Sequence, residues 1–190
     1  MIFTKPIVLI GFMATGKTTV GRLVAEQTGR QFLDLDSAIE AAAGLSVADI
    51  FRNEGEPGFR RHETVALGKA LATSNTVIAT GGGAACREDN LRAMLKGGFV
   101  VALAVDAAEV ARRIGRGGGR PLLDSASDPE ATARALLATR EPFYARAHIR
   151  IDTVGRDPQD VANDVIEALR SQAASTPPHD RGENDEKKES

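Results

Sequence analysis

The stretch that decides the fold is IVLIGFMATGKT, from Ile7 to Thr18. Its first four residues are β-branched or leucine, a run typical of a strand buried on both faces. Gly11–Thr18 then matches the pattern G-x-x-x-x-G-K-[ST]. Helical periodicity follows from Gly16 to Thr28, and Gly29 is suited to end that helix. This order of strand, glycine-rich loop and helix predicts a phosphate-binding loop.

The loop suits a nucleotide for specific chemical reasons. Glycines let backbone N–H groups approach a phosphate closely, and the N-terminus of the next helix adds a favourable dipole. Lys17 supplies a positive charge for the β- and γ-phosphates, and the Thr18 hydroxyl can ligate Mg²⁺. The alternative is a chance glycine-rich turn. The predicted contacts to ATP are Gly11, Ala14, Thr15, Gly16, Lys17, Thr18 and Thr19.

The rest of the chain alternates short apolar runs with longer amphipathic ones. That alternation predicts a three-layer α/β/α sandwich with a parallel sheet, whose ligands lie at the carboxyl ends of the strands. The further strands are predicted at Phe32–Leu35, Thr76–Thr80, Phe99–Val105 and His148–Ile151. The further helices are predicted at Ser37–Ala43, Val47–Asn53, Arg60–Ala72, Glu88–Lys96, Ala107–Ile114, Pro129–Ala145 and Pro158–Ser171. The domain is predicted to span residues 1–171, with a disordered hydrophilic tail at 172–190.

Composition excludes several classes of protein. The chain has 190 residues and a formal net charge of −2, which suits one domain and argues against a general nucleic-acid binder. Its single cysteine, Cys86, excludes an internal disulfide and fits a reducing compartment. No apolar run is long enough for a membrane span, and we predict no signal peptide. We expect a monomeric, cytoplasmic protein that acts on a small molecule and binds neither nucleic acid nor a membrane.

Two aspartates, Asp34 and Asp36, lie at the end of the second predicted strand. Residues two apart on a strand face the same way, so both carboxylates are expected to point into the ligand crevice. Like charges that close need a cation or a donor-rich ligand beside them. One carboxylate could organise Mg²⁺ while the other binds a substrate hydroxyl. The alternative is that Asp36 serves only as the N-cap of the next helix.

Two glycine-rich segments lie later in the chain. Gly81–Gly83 follows the third predicted strand and exposes backbone N–H groups to an anion or a hydroxyl, the alternative being a flexible turn. The run from Arg112 to Leu123 combines four arginines with four glycines. We predict that residues 112–124 form a lid that closes over phosphates, the alternative being a solvated basic loop.

Two further arginines, Arg60 and Arg140, lie on different predicted helices. Separate guanidinium groups suit the bidentate capture of a substrate carboxylate, the alternative being an ion pair at the surface. No N-K-x-D string occurs, so the loop does not indicate a switch GTPase. A small-molecule kinase is the usual remaining function for so short a chain. No chemistry is assigned to Cys86 or to the histidines His62, His148 and His179.

Together these segments resemble the shikimate kinase family from Ile7 to about Leu169. Several motifs in the same order are more specific than any one of them. They are Gly11–Thr18, Asp34–Asp36, Gly55–Glu63, Gly81–Gly83, Arg120–Leu123 and Arg140–Tyr144. The resemblance implies ATP-dependent phosphorylation of the 3-hydroxyl of shikimate, a step toward chorismate and the aromatic amino acids. It also implies a five-stranded sheet of spatial order 2-3-1-4-5, as in other small-molecule kinases with this loop.

The resemblance also implies roles for individual residues. The catalytic set would be Lys17, Asp36 and Arg120, the last reaching the phosphates from the lid. Thr18 and Asp34 would place Mg²⁺. The shikimate contacts would be Asp36, Arg60, Gly82, Gly83 and Arg140, with both arginines on the carboxylate. The adenine of ATP would lie between Arg113 and the loop that contains Arg156 and Pro158.

Two alternative functions fit parts of the same pattern. A gluconate kinase also phosphorylates a polyol acid, so arginines and carboxylates alone do not separate it from a shikimate kinase. A regulator that binds nucleotide without turnover would need no acceptor site, which Asp34, Asp36 and Arg120 argue against. One departure from the family is Ala14, which stands where many relatives carry glycine and predicts a stiffer loop.

Overall fold

One parallel sheet organises the protein, whose computed structural model describes residues 4–114 and 128–175. Its strands are β1 Ile7–Ile10, β2 Gln31–Asp34, β3 Thr76–Ala79, β4 Phe99–Ala104 and β5 Ile149–Asp152. The order across the sheet is β2-β3-β1-β4-β5, which confirms the predicted order. Since β1 is the central strand, the loop that follows it opens at the middle of the carboxyl edge.

Helices connect the strands on both faces of the sheet. They are α1 Lys17–Thr28, α2 Leu35–Ala43, α3 Val47–Leu71, α4 Glu88–Gly97, α5 Ala107–Ile114, α6 Pro129–Tyr144 and α7 Pro158–Ser175, with a short 3₁₀ helix at Ala84–Cys86. α7 ends at Ser175 instead of the predicted Ser171, so the first residues of the predicted tail are helical. The rest of that tail lies outside the described residues. Within residues 4–114 and 128–175, no helix has the length and apolar character needed to cross a membrane.

Two predicted helices form one element, α3, which is broken at Gly55 (φ 67°, ψ −176°). Pro57 follows the break, and a proline is tolerated in a first helical turn, so the second segment begins before the predicted start at Arg60. The sequence predicts helical periodicity through Val65, Leu67 and Leu71 in this second segment, and that pattern is wrong in part. Leu67 is buried, whereas Val65 is 60% exposed. Residues two positions apart point in directions roughly 200° apart around a helix, so Val65 and Leu67 lie on opposite sides.

Alternate residues of β1 pack into opposite layers of the core. Ile7 and Leu9 pack with α1 and α7, whereas Val8 and Ile10 pack with the helices of the other face. All four are fully buried, and each such side chain contributes about 1.5–3 kcal/mol when removed from water. The strand that precedes the glycine-rich loop is therefore anchored from both sides.

Candidate active site

The glycine-rich loop turns tightly between β1 and α1. Gly11 has φ 139°, and a Cβ built there would lie 2.4 Å from the backbone oxygen of Leu103 on β4, so only glycine fits. The Thr15 hydroxyl donates to the Phe12 carbonyl at 3.0 Å, and Gly16 is the N-cap residue of α1. The shape of the loop is thus set by its own residues and by close contact with β4.

Lys17 is buried inside this loop. Its Nζ donates to the carbonyl oxygens of Gly11 at 2.9 Å and Phe12 at 2.7 Å, and to Thr15 Oγ1 at 3.3 Å. These partners hold a positive charge within the curve of the loop. A phosphate bound there would meet that charge together with the N-terminus of α1.

Ala14 joins the loop to the end of α5. It has φ 61°, a left-handed conformation, and its carbonyl accepts a hydrogen bond from Arg113 Nη1 at 2.9 Å. Arg113 also donates to the Thr153 carbonyl at 2.6 Å and to Glu109 Oε1 at 2.7 Å. Hydrogen bonds from Arg112, with the one from Arg113, lower the pKa of Glu109 to about 2, so this carboxylate is ionised where it orients Arg113.

Asp34 and Asp36 both reach the loop, but not as two residues of an extended strand. Asp34 ends β2 and is the N-cap of α2, where its Oδ1 accepts from the N–H groups of Asp36 at 3.1 Å and Ser37 at 3.4 Å. Asp36 lies in the first turn of α2. Both the strand geometry and the alternative of Asp36 as the N-cap are therefore wrong. The turn from strand to helix, rather than strand alternation, brings the two carboxylates to one cavity.

One oxygen of the Asp36 carboxylate differs from the other polar atoms of the site. Its Oδ1 is buried without a hydrogen-bond partner among the residues that the structure describes, and it lies against Gly81. Burial raises the pKa of Asp36, and the nearby Asp34 carboxylate adds to the rise. Because an unsatisfied buried acceptor is unfavourable, the hydroxyl of a ligand would stabilise this position.

These groups line one cavity of about 450 Å³ at the carboxyl edge of the sheet. Among the predicted site residues, it is lined by Ala14, Gly16, Lys17, Thr18, Thr19, Asp34, Asp36, Gly82 and Arg113. The volume is in the usual range for small-molecule sites. The cavity thus brings together most of the predicted phosphate contacts, both aspartates and the first two residues of the triple glycine, whereas Gly11, Thr15 and Gly83 do not line it.

Two predicted elements of the nucleotide site are not brought to this cavity. Arg120 and nearly all of the predicted lid lie outside the described residues. The Arg156 side chain pairs with Asp164 at 2.7 Å and lines a separate groove along β5, and Pro158 is exposed. The expected contact of Arg113, Arg156 and Pro158 with adenine stays a prediction.

Arg60 and Arg140 approach the triple glycine from α3 and α6. Arg140 Nη1 donates to the Gly82 carbonyl at 3.4 Å, and its guanidinium carbon lies 5.2 Å from the centroid of the Phe12 ring. A Cβ built at Gly83 would lie 2.7 Å from Arg60 Nη2, so glycine permits this close approach. The two arginines predicted to bind a carboxylate therefore lie beside the same glycine turn.

Glu63 pairs with a predicted site residue, although the sequence analysis gave it no role beyond its place in the Gly55–Glu63 motif. It is fully buried and pairs with Arg60 at 2.9 Å, while Glu56 binds the same guanidinium at 3.0 Å. Burial raises the pKa of Glu63, and the charge of Arg60 opposes that rise. The spacing of three residues on a helix was the available signal, but such pairs are common on helix surfaces. Two carboxylates thus orient Arg60.

Comparison with known proteins identifies the relatives of this chain. The protein-family model for shikimate kinase matches residues 13–170. The shikimate kinase of Symbiobacterium thermophilum is 51% identical over 168 residues, covering 86% of this chain and 95% of that protein. The shikimate kinase of Moorella thermoacetica is 46% identical over 165 residues, covering 87% and 94%.

Solved structures give the same result. The shikimate kinase of Acinetobacter baumannii, solved in complex with shikimate, has a TM-score of 0.83 and 40% identity, covering 88% of this chain and 94% of that one. A gluconokinase of Sinorhizobium meliloti has a TM-score of 0.55 and 20% identity, covering 91% and 99%. At that identity the likeness shows a shared fold and does not favour gluconate as the acceptor.

Proposed function

Since the chain belongs to the shikimate kinase family, we propose how its residues divide the work of that enzyme. The reaction transfers the γ-phosphoryl group of ATP to the 3-hydroxyl of shikimate and gives shikimate 3-phosphate and ADP. One observation carries the assignment. A single cavity is lined by Lys17, by Thr18 hydrogen-bonded to Asp34, and by Asp36.

The glycine-rich loop forms the nucleotide half of the site. Its backbone N–H groups and the ammonium of Lys17 bind the β- and γ-phosphates and offset the charge that moves during transfer. The residues assigned to this half are Gly11, Ala14, Thr15, Gly16, Lys17, Thr18, Thr19 and Arg113. Arg120 of the predicted lid and the Arg156–Pro158 loop are assigned on the family resemblance alone.

The metal position is supported by the chemistry of two side chains. Thr18 Oγ1 and Asp34 Oδ2 lie 2.9 Å apart in the cavity, and hydroxyl and carboxylate oxygens are ligands that Mg²⁺ prefers. Among the described residues, no group of three or more His, Cys, Asp or Glu side chains could hold a metal ion. That fits Mg²⁺, which usually takes one or two protein ligands together with substrate phosphates. When bound, Mg²⁺ neutralises charge on the phosphate oxygens.

The triple glycine and the two arginines form the acceptor half. We place the shikimate carboxylate between Arg60 and Arg140, because guanidinium groups bind carboxylates in a fixed, bidentate geometry. The ring hydroxyls then contact Asp36 and the backbone of Gly82 and Gly83. This anchoring points the 3-hydroxyl at the phosphoryl group, and such alignment supplies a large part of the rate in a bimolecular reaction.

Asp36 accepts the hydrogen bond of the 3-hydroxyl in this arrangement. As the hydroxyl oxygen bonds to the γ-phosphorus, the bond from phosphorus to the ADP oxygen breaks and the hydroxyl proton is released. We propose that Asp36 orients this hydroxyl and is placed to take the proton as a general base. Asp36 differs from Asp34 in its hydrogen bonds: its Oδ1 has no partner among the described residues, whereas the oxygens of Asp34 bind backbone N–H groups and Thr18.

We propose further that the protein works as a monomer in the cytoplasm. A single cysteine fits a reducing compartment. The proposed domain carries its lid at residues 112–124, and the predicted tail is 172–190, whose first four residues lie in α7.

An assay of ADP release tests the function directly. With ATP and Mg²⁺ present, we expect rapid ADP release with shikimate and only background release with gluconate or with no acceptor. Equal rates with gluconate would identify a different sugar-acid kinase. ATP binding by calorimetry without any shikimate-dependent ADP would instead identify a regulator that only binds nucleotide.

A further inference from the structure

The single tyrosine of the chain, Tyr144, lies at the end of α6 and contacts the Gly81–Gly83 turn of the acceptor half. Its side chain is 5% exposed, and its hydroxyl donates to the Gly82 carbonyl at 2.6 Å. We propose that Tyr144 is a positioning residue for shikimate phosphorylation, which holds the Gly81–Gly83 turn in its binding shape. This inference rests on the proposed function and extends it.

The contact joins two parts of the acceptor site through one atom. Arg140 and Tyr144 are one turn apart on α6, and both donate to the Gly82 carbonyl, at 3.4 Å and 2.6 Å. The turn after β3 is therefore tied to the helix that supplies the carboxylate-binding arginine. The shorter of the two bonds comes from the tyrosine. If Arg140 turns toward a substrate carboxylate, Tyr144 still holds the carbonyl.

Pinning this carbonyl also fixes the direction of a donor. The peptide between Gly82 and Gly83 is planar and trans, so its C=O and N–H groups point in opposite directions. With the oxygen held toward α6, the N–H of Gly83 points away from that helix. Within the described part of the chain, no hydrogen bond engages this N–H group, whereas the carbonyls of Gly81 and Gly83 accept from Ala84 and Cys86. The turn thus presents a donor that a shikimate hydroxyl can use.

Three consecutive glycines need such an external restraint. Without side chains they sample many backbone conformations, and ordering them on binding would lower the affinity for the acceptor. A buried hydroxyl that is already hydrogen-bonded removes part of that ordering cost before the substrate arrives. Burial raises the pKa of the Tyr144 phenol, so it remains a donor throughout the working range of the enzyme.

The test is Tyr144→Phe, which keeps the ring in the core and removes the hydroxyl. We expect the KM for shikimate to rise about tenfold, the size of effect that loss of one buried hydrogen bond produces. The KM for ATP should stay the same, and kcat should fall less than the KM for shikimate rises. A residue that only supports the fold would lower the melting temperature without this selective change.

Thr76→Val is the matched control. The Thr76 hydroxyl is also buried and donates to a backbone carbonyl, that of Ser74 at 3.1 Å, but it lies where β3 begins, at the far end of the strand from the site. Thr76→Val should lower the melting temperature and leave the KM values for shikimate and ATP unchanged.

A third variant separates failure of this inference from failure of the proposed function. If Tyr144→Phe leaves the KM for shikimate unchanged while Arg140→Ala raises it, the positioning role is overturned and the carboxylate site stands. If neither substitution changes that KM, the positioning role falls together with the acceptor assignment.

Discussion

The two halves of the proposed site are built in different ways. The phosphate half comes mainly from one continuous segment, Gly11–Thr19, in which Lys17 donates hydrogen bonds to two carbonyls of its own loop. The acceptor half draws on separate segments and keeps a buried Asp36 oxygen without a partner among the described residues. Local sequence therefore shapes the first half, whereas the second depends on where distant elements pack. Substitutions in the first half should affect turnover, and most of those in the second should affect shikimate affinity.

The largest effect is expected from Lys17→Ala in the phosphate half. Removing a charge that acts on the moving phosphoryl group should lower kcat by about 10³-fold, with little change in the KM for shikimate. The melting temperature should also fall, because Nζ supports the Gly11 and Phe12 carbonyls. Steady-state kinetics with Lys69→Ala, an exposed lysine near the end of α3, provide the control. An unchanged kcat would remove Lys17 from the catalytic set.

Asp36→Asn tests where the two halves meet, because Asp36 is assigned to the acceptor half but lines the same cavity as Lys17. We expect kcat/KM to fall by about 10²-fold, as for loss of a general base. A base must be ionised, so the wild-type rate should fall as the pH drops through the pKa of Asp36. Burial places that pKa above the ordinary carboxyl value. The pH–rate profile of Asp36→Asn should lack this fall in rate at low pH. If the fall remains, Asp36 only orients the hydroxyl and does not act as the base.

Arg140→Ala tests the acceptor half alone. Loss of one charged partner of a carboxylate should raise the KM for shikimate by about 30-fold or more, while the KM for ATP stays the same. Arg134→Ala is the matched control, because Arg134 lies on the same helix but is exposed and pairs with nearby Glu130. An unchanged KM for shikimate in Arg140→Ala would contradict the carboxylate assignment.

The smallest effect is expected from Ala14→Gly, which removes backbone strain from the glycine-rich loop. Alanine at φ 61° is strained by about 1–2 kcal/mol, and the extra freedom of glycine in the unfolded chain offsets part of that gain. We expect the free energy of unfolding to rise by up to about 1 kcal/mol, or roughly 2–4 °C in melting temperature.

Gly155→Ala is the reverse control for that prediction. Gly155 has φ 65° and nothing within 4 Å of a built Cβ, so alanine there should lower the melting temperature through backbone strain alone. A lower melting temperature for Ala14→Gly would show that the backbone strain of alanine at residue 14 is smaller than the entropy cost of glycine in the unfolded chain.

The contrast between the halves also explains what the sequence could predict. Ile7–Thr18 fixed the central strand, the loop and the start of α1, because these follow from local pattern and glycine geometry. The bounds of the other strands lie within one residue of those predicted. The roles of Asp34 and Asp36 stay predictions, but the strand geometry predicted for them is wrong, since the strand ends at Asp34 and the chain continues as a helix that Asp34 caps.

Side-chain partners in the acceptor half could not be predicted from local pattern. Glu63 and Tyr144 act on Arg60 and Gly82 through packing between elements, and the Tyr144–Gly82 bond spans 62 residues of sequence. The hydrophobic periodicity likewise predicted Val65 on the apolar face, although its side chain is exposed on α3. Such contacts depend on helix orientation after the break at Gly55, which residue spacing alone does not encode.

A crystal structure with shikimate, Mg²⁺ and a non-hydrolysable ATP analogue tests the convergence of the two halves most directly. The prediction is that the shikimate carboxylate contacts Arg60 and Arg140. Its 3-hydroxyl oxygen should lie about 3–3.5 Å from the γ-phosphorus and be hydrogen-bonded to Asp36. Shikimate bound elsewhere, or held in the cavity with its 3-hydroxyl turned away from the γ-phosphate, would contradict the division of the site into these two halves.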